Sequence, residues 1–441
     1  MKNLIKLFSV TVAAGFILAS CEGPMGPAGK DGTNGTDANE TCKQCHNGTV
    51  VESKAVEYSL SKHHTGEAEA EEAGNTGCAP CHSSEGFKFV CSNNIPSTFT
   101  LNSSTGKYGN DYATDASHAI GEFECNTCHS SLHTSYTETD FFPLTTTAAV
   151  PMTMWAGAKT INLTQDNGKS NLCIKCHQPR PFTKSNTDGN VIDYASLISN
   201  KTAIFYDSTT ANMANNVLKV GYRTHTHYGT VGAICAGVGG IEFPGAASYT
   251  SSEHATVASC TDCHMADVSG KAGGHTFSAI GNFNGCNVTG CHANNPVTSS
   301  TPDKWTLPRN QIKTLLATLA GKLKQGGVEI MNKNGDATSN LWYGITTNNY
   351  DGYLNVFDPV NNPNGPTYNT SSFQNPTTTG WTSAQKATNA ALPKLTLKNI
   401  QMGAIINFQL CLREYSLGIH NLNYSYALLQ NTIDALTAAG F

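Results

Sequence analysis

A cysteine-x-x-cysteine-histidine motif occurs five times in this chain, and it limits the possible folds more than any other feature. The five copies are Cys42, Cys45 and His46; Cys78, Cys81 and His82; Cys125, Cys128 and His129; Cys173, Cys176 and His177; and Cys260, Cys263 and His264. In this motif two thiols add to the vinyl groups of haem and the histidine reaches the iron, so each copy predicts one c-type haem. Chance would give about 0.02 copies at these cysteine and histidine frequencies. A zinc ribbon also pairs cysteines, but it needs no histidine directly after each pair.

A stretched copy of the motif has four residues between Cys286 and Cys291, with His292 directly after the second cysteine. Gly285 and Gly290 flank its loop, so the two extra residues can fold outward at little steric cost. Both thiols can then still meet the vinyl groups of one haem. The alternative is a disulfide between the two cysteines. We predict haem at this copy as well, and therefore six haem c groups in the chain.

Nine histidines remain outside the six motifs, and they decide whether each haem iron keeps one free face or is bound by histidine on both faces. An iron held by one histidine keeps a face on which a substrate can bind, whereas an iron held by two mainly passes electrons. Seven candidates for the second ligand are His63, His118, His133, His227, His254, His275 and His420. His64 is adjacent to His63, and one residue separates His225 from His227. Each competes with that candidate for an iron, so we rank both behind the seven.

The N-terminus carries an export signal. Residues 1–20 combine a basic start with a short apolar stretch, and Leu-Ala-Ser before Cys21 matches a bacterial lipobox. We predict that Cys21 becomes the lipidated N-terminus, with an ordinary cleaved signal as the alternative, and that residues 21–40 form a Gly-rich flexible tether. No later stretch is long and apolar enough to cross a membrane. The sequence therefore predicts lipid anchoring at the outer membrane or cell surface of a bacterium.

Composition indicates that the haems themselves fill much of the interior. Charged residues make up only 13% of the chain and apolar residues 39%, which is below the usual globular level. The net charge of −5 argues against nucleic acid as a partner. Residues 41–294 must hold six haems, too many for a separate protein core around each one. The predicted fold is mostly α with extensive irregular loops, built around stacked haems.

The C-terminal region, residues 295–441, contains no haem motif and has a helical pattern. Apolar residues at helical spacing predict helices over Leu307–Lys324, Leu395–Tyr415 and Asn421–Ala439. The last two read as a helical hairpin whose bend, with Gly418 as a candidate C-cap, brings His420 towards a haem edge. Asp336–Thr379 is rich in Asn, Thr and Pro, which predicts a long irregular loop.

Three further cysteines lie outside the motifs and the lipid site: Cys91, Cys235 and Cys411. Cys235 and Cys411 have apolar neighbours in the sequence, so buried and unreactive thiols are the expected state. One disulfide among the three stays open as an alternative in an oxidising compartment.

These motifs resemble those of multihaem c-type cytochromes of the outer-surface and nitrite-reductase type. The segment CTDCHM followed by GGHTF looks like their haem site with its second histidine, here His275, downstream. The segment GIHNLNYSYALLQNTIDAL looks like their closing helix, which begins after a ligand histidine, here His420. Leu422 stands where that family usually has proline. The catalytic haem of the nitrite reductases uses CxxCK, and this chain contains no such motif, which argues against ammonia-forming nitrite reduction.

The motifs and the resemblance together imply a hexahaem electron carrier rather than an enzyme. Its electrons would pass to or from redox partner proteins or extracellular acceptors. Filament-forming surface cytochromes stack their haems into a continuous wire and can take a second histidine from the next subunit, so a homopolymer is a further expectation. The alternative is a haem-dependent reductase of a small nitrogen or sulfur oxyanion at one open haem. His46 and His177 have no second histidine close in sequence and are the candidates for that haem.

Overall fold

The computed structural model describes residues 47–66, 72–104, 107–129, 144–182, 192–207, 220, 224–325, 328–333, 350–354 and 396–441. Lys54–Phe441 forms one compact unit, and the described part of Met1–Ser53 is the start of the first helix. The predicted signal, Cys21, the tether, the first motif with His46, and His133 lie outside the described residues.

The helices of the motif-bearing part are short. Most span a single turn or little more, because glycine, proline, asparagine and serine recur every few residues and end each helix early. They are α1 (Gly48–Ser59), α2 (Lys62–Thr65), α3 (Ala79–His82), α4 (Ser84–Ser92), α5 (Cys125–Cys128), α6 (Asn171–Ile174), α7 (Tyr194–Ser199), α8 (Val231–Cys235), α9 (Glu253–Val257) and α10 (Cys260–His264). Turns of 3-10 helix occupy Ala116–His118, Thr153–Trp155 and Gly274–Thr276, and a π-helical turn occupies Pro302–Thr306.

Strands in the described residues form antiparallel pairs of two. The pairs are β1 (Phe99–Asn102) with β2 (Lys107–Asn110), β3 (Val150–Pro151) with β4 (Thr160–Ile161), β5 (Ile204–Asp207) with β10 (Thr396–Lys398), β6 (Lys324–Gln325) with β7 (Val328–Glu329), and β8 (Met331–Lys333) with β9 (Tyr350–Leu354). Such pairs need other elements to cover them, because an isolated hairpin is only marginally stable in water.

Two details of the predicted C-terminal region are wrong. β9 lies inside the segment predicted as an irregular loop, where Tyr350, Tyr353 and Leu354 are buried, and burial of these side chains favours strand pairing there. The helix predicted from Leu395 begins only at Asn399, because Thr396–Lys398 pairs with β5. The remainder of the predicted irregular loop lies outside the described residues.

Three longer helices follow the motif-bearing part and confirm the helical pattern of the sequence. They are α11 (Leu307–Lys322), α12 (Asn399–Arg413) and α13 (Leu422–Ala438). All 15 residues of α12 are buried, as expected of a helix at the centre of a domain. Its polar residue Asn407 accepts a hydrogen bond from the backbone of Ile241 and donates to the carbonyl of Ile241 and to Thr432.

One hydrophobic core joins the motif-bearing part to the C-terminal helices. Met152, Ile241 and Phe243 from the first part share it with Phe408 and Leu428 from the second. The described chain is thus partly helical with much irregular loop. Among the described residues, no helix combines the length and the apolarity needed to cross a membrane.

Candidate haem-binding sites

The described motifs share one local geometry. In three of them the amide of the histidine donates a 3.0 Å hydrogen bond to the carbonyl of the first cysteine: His82 to Cys78, His129 to Cys125, and His177 to Cys173. This closes one helical turn, so the two cysteines, three positions apart, lie on the same face of the turn. That face is where two thiols can meet one porphyrin edge.

The stretched motif closes the same contact despite its two extra residues. The amide of His292 donates to the carbonyl of Cys286, also at 3.0 Å. Gly290 adopts a φ of +90°, a left-handed conformation that favours glycine, and so the loop can bulge outward. Cys286 and Cys291 are free thiols in the structure, as are Cys91, Cys235 and Cys411, so neither the predicted alternative disulfide at 286 and 291 nor one among the three others is formed.

Four motif histidines each face a histidine from outside the motifs. Imidazole nitrogens bind first-row metal ions at about 2 Å, so two imidazoles on opposite sides of one iron have ring centres about 6 Å apart. The measured separations of the ring centres are 5.9 Å for His82–His227, 6.1 Å for His63–His177, 6.1 Å for His254–His292, and 6.2 Å for His264–His420. The described residues therefore fit haem at the second, fourth, fifth and stretched motifs, with an imidazole available on both faces.

Hydrogen bonds at Nδ1 orient these rings. His264 donates from Nδ1 to the carbonyl of Phe277, and His254 to the carbonyl of Ile419, both at 2.9 Å. Nδ1 of His420 lies 2.6 Å from Oε2 of Glu414. A bond at Nδ1 fixes the tautomer and leaves Nε2 as the nitrogen available to a metal.

The backbone of His227 is strained, with a φ of +91° that residues other than glycine rarely adopt. Strain of this kind persists where the surrounding structure holds a functional side chain in place. His225, its competitor in the sequence, is buried and its Nδ1 lies 2.8 Å from a guanidinium nitrogen of Arg413. The structure thus places His227, and not His225, opposite His82.

The remaining described candidates have other surroundings. His275 lies within electrostatic reach of His129, and its amide donates to Glu57 at 2.9 Å. Nδ1 of His118 lies 2.7 Å from Asp115, and its ring stacks on Phe89 at 4.3 Å between centres. The ring of His64 lies 5.4 Å from that of Tyr58. No motif histidine within the described ranges has a recorded ring contact with His118 or His64.

Burial favours the neutral form of several facing imidazoles, which is the form that binds metal. Burial by the surrounding protein lowers the pKa of His82, His177 and His264. For His63, burial and then the nearby His177 also lower the pKa, although the residue as a whole is exposed to solvent.

His420 shifts in the opposite direction. Burial by itself lowers the pKa of His420, but the hydrogen bond to the Glu414 carboxylate outweighs it, so the pKa is raised. For Glu414, burial by itself raises the pKa, and the hydrogen bonds from His420, Ser416 and Gly418 outweigh it and lower the pKa. The contact therefore favours the ionised carboxylate of Glu414, to which His420 donates from Nδ1.

Segments that carry different motifs come together. The thiol of Cys81 lies 3.6 Å from the carbonyl oxygen of Lys175, and the thiol of Cys176 lies 3.9 Å from that of Pro80. The amide of Cys260 donates to Oγ of Ser170 at 3.0 Å. Cys128 lies within electrostatic reach of both Cys173 and Cys176. The fourth motif is thus at the centre, next to the second, third and fifth motifs.

The fifth motif also lies beside the stretched one. The thiol of Cys263 is within electrostatic reach of Cys286 and Cys291. In addition, the backbone of Gly285 approaches the fifth motif so closely that a Cβ there would lie 2.1 Å from the carbonyl oxygen of Asp262. The motifs therefore follow one another in space as second, fourth, fifth and stretched.

A bare metal ion has no comparable site. Across the described residues, no three His, Cys, Asp or Glu side chains converge as a zinc or iron site would require. Haem requires fewer protein ligands, because the porphyrin supplies four nitrogens and the protein supplies only the axial ones.

Sequence reasoning did not pair His177 with a second histidine and named it a candidate for an open haem only in the alternative reductase; the structure places His63 opposite it. Sequence reasoning also missed Glu414, an acidic residue inside the apolar segment FQLCLREY, whose position there was the available signal. Comparisons of the chain with family models, with curated proteins and with solved structures found no match. The motifs and the geometry around them are therefore the evidence for a function.

Proposed function

We propose that this chain carries electrons through six covalently attached c-type haems at the bacterial cell envelope or surface. The observation that carries the proposal is the set of four motif histidines, each with a second imidazole about 6 Å away between ring centres. Imidazole on both faces leaves no open position for a substrate, so the arrangement favours electron transfer over catalysis.

The protein side chains would bind, orient and enclose the cofactor. The motif cysteines hold the haem edge, the motif histidine binds one face, and a histidine from a distant segment binds the other. Haem iron supplies a one-electron couple whose potential depends on axial ligands, hydrogen bonds and burial. The Nδ1 hydrogen bonds of His254, His264 and His420 hold these rings in one orientation, so little rearrangement accompanies a change of charge.

The spatial order of the motifs supports a continuous path. Since the second motif contacts the fourth, and the amide of Cys260 in the fifth motif binds Ser170 just before the fourth, porphyrins attached to these motifs would lie close together. His177 also interacts electrostatically with His82, His264 and His420, which places the fourth motif between its neighbours. We infer a stacked row of haems with the fourth at a junction.

The surroundings of the path follow from the sequence. A lipid on Cys21 and a flexible tether would anchor the protein to a membrane, with redox proteins or extracellular acceptors as partners. Assembly into a filament is a further possibility of the same proposal, and electron microscopy of the native cell surface tests it directly.

Voltammetry of the haem-loaded chain on an electrode tests the function. The film is expected to exchange six electrons per chain, and to give no catalytic current with nitrite, hydroxylamine or tetrathionate. A sustained catalytic current with one of these compounds would favour the reductase instead.

Two adjacent histidines provide a matched pair of variants for the same experiment. His63→Ala removes the imidazole that faces His177, so about one sixth of the iron is expected to become high-spin and electron exchange to slow. His64→Ala changes the next residue, which contacts Tyr58, and is expected to leave both readouts as in the parent chain. Identical spectra for the two variants would contradict the proposed ligand pairing.

A further inference from the structure

Glu414 is a fully buried carboxylate directly after α12, in the turn that leads to His420. Its side chain has 0% exposure, and Oε2 lies 2.6 Å from Nδ1 of His420. Ser416 Oγ donates to Oε2 at 2.6 Å, and the amide of Gly418 donates to Oε1 at 3.0 Å. Both carboxylate oxygens are thus engaged within a single turn.

The backbone of this turn is shaped around the carboxylate. Tyr415 and Leu417 have φ values of +64° and +55°, in the left-handed region that side chains other than glycine rarely adopt, and Gly418 follows at +90°. Two strained residues in one turn indicate that its conformation is maintained by the contacts that it makes. The same turn supplies the Ile419 carbonyl that orients His254.

His420 differs from the other facing histidines in what its Nδ1 meets. His254 and His264 donate to neutral backbone carbonyls, those of Ile419 and Phe277. A carboxylate at this position makes the imidazole a stronger electron donor than a carbonyl does. A stronger donor stabilises the oxidised, more positive state of an iron bound to it, and so lowers its reduction potential.

We propose that Glu414 is a positioning residue that lowers the potential of the iron between His264 and His420. This inference rests on the proposed function and adds to it a residue that tunes one potential. The hydrogen bond and the buried charge carry it, because in a region that excludes water a charge acts with little screening.

Among the described residues, Arg309 on α11 is a positively charged group that interacts electrostatically with Glu414. Its guanidinium also stacks on Trp305 at 4.6 Å. A positive charge there partly offsets the carboxylate. Removing Arg309 should therefore shift the same potential in the opposite direction from removing the charge of Glu414.

Potentiometric titration of the full haem-loaded chain tests the assignment. Glu414→Gln keeps an oxygen that accepts from His420 but removes the charge. One of the six midpoint potentials is expected to rise by at least 59 mV, which corresponds to a tenfold change in the equilibrium constant of a one-electron reduction. Arg309→Gln is expected to lower the same midpoint. Asp115→Asn, which alters the exposed carboxylate beside His118, is expected to shift every midpoint less than Glu414→Gln shifts one, because water screens that carboxylate.

The outcomes distinguish failure of this inference from failure of the proposed function. If Glu414→Gln retains six low-spin haems and all six midpoints are unchanged, the inference is wrong and the electron-carrier function stands. If the parent chain itself holds clearly fewer than six haems, the proposed function fails first. If Glu414→Gln does not fold, Arg309→Gln decides: a lowered midpoint supports the inference, and an unchanged one overturns it.

Discussion

The C-terminal helices and the motif-bearing part differ in how completely their side chains are buried by other protein atoms. Every residue of α12 is buried, whereas α1 has no buried residue and the described motif cysteines are half-buried or exposed. Val56, Leu60 and Val257 in the motif-bearing part are 60%, 48% and 67% exposed. Apolar side chains left exposed beside the motifs are expected where a large apolar cofactor completes the interior. Both parts contribute to one core, and the segments around the motifs are less completely buried than the C-terminal helices.

The largest expected effect comes from withholding haem. If the chain is produced without haem attachment, amides of the motif-bearing helices α3, α5 and α10 are expected to exchange with solvent much faster, because their packing partner is missing. Amides of α12 and α13 are expected to stay protected. Hydrogen exchange with mass spectrometry measures both. Equal loss of protection in the two parts would remove the distinction between them.

The second largest effect is expected at Asn407, in the buried helix α12. Asn407→Ala leaves the backbone groups of Ile241 and one bond of Thr432 unsatisfied, which should lower the free energy of unfolding by about 3 kcal/mol. Haem content should be unchanged. Chemical denaturation followed by circular dichroism gives the value.

Asn423→Ala on the exposed side of α13 is the control for Asn407→Ala, with an expected change within about 0.5 kcal/mol. Equal destabilisation by the two substitutions would show that burial of Asn407 has no special part in stability.

The third effect is expected in the motif-bearing part, where a substitution should change haem ligation rather than the free energy of unfolding. His227→Ala removes the imidazole opposite His82 and is expected to convert one haem in six to a high-spin form. His225→Ala removes the neighbouring ring that contacts Arg413 and is expected to leave every haem low-spin. Magnetic resonance spectra that change for His225→Ala alone would reverse the ligand assignment.

The smallest expected effects are changes in the free energy of unfolding at two glycines inside helices. A Cβ on Gly403 in α12 would lie 2.7 Å from Cζ of the buried Phe243, so Gly403→Ala should destabilise by about 1–3 kcal/mol. A Cβ on Gly321 in α11 meets nothing within 4 Å, so Gly321→Ala should stabilise by about 0.5–1 kcal/mol. Thermal unfolding that moves in the same direction for both would contradict the difference in packing.

Sequence patterns predicted the local features of this molecule and missed the long-range ones. The helical spacing of apolar residues located α11, α12 and α13, because that spacing directly reflects burial of a helix face. The start of α12 was placed too early, since the pairing of Thr396–Lys398 with β5 depends on a segment far away in the chain.

The candidate haem sites show the same division between local features, which the sequence predicted, and long-range features, which it did not. Each motif is contiguous, so its cysteines and histidine could be named from the sequence. The pairing of His63 with His177, and of His227 with His82, depends on how loops of many residues close, and no local pattern encodes that. The role of Glu414 depends on burial as well as on position, and burial of a single acidic residue follows from the whole fold.

Electron paramagnetic resonance of the purified chain, combined with quantification of covalently bound haem, tests the central claim most directly. The account predicts six haems per chain, each low-spin with an imidazole on both faces. Clearly fewer than six haems, or a majority of irons in a high-spin form with one open face, would contradict it.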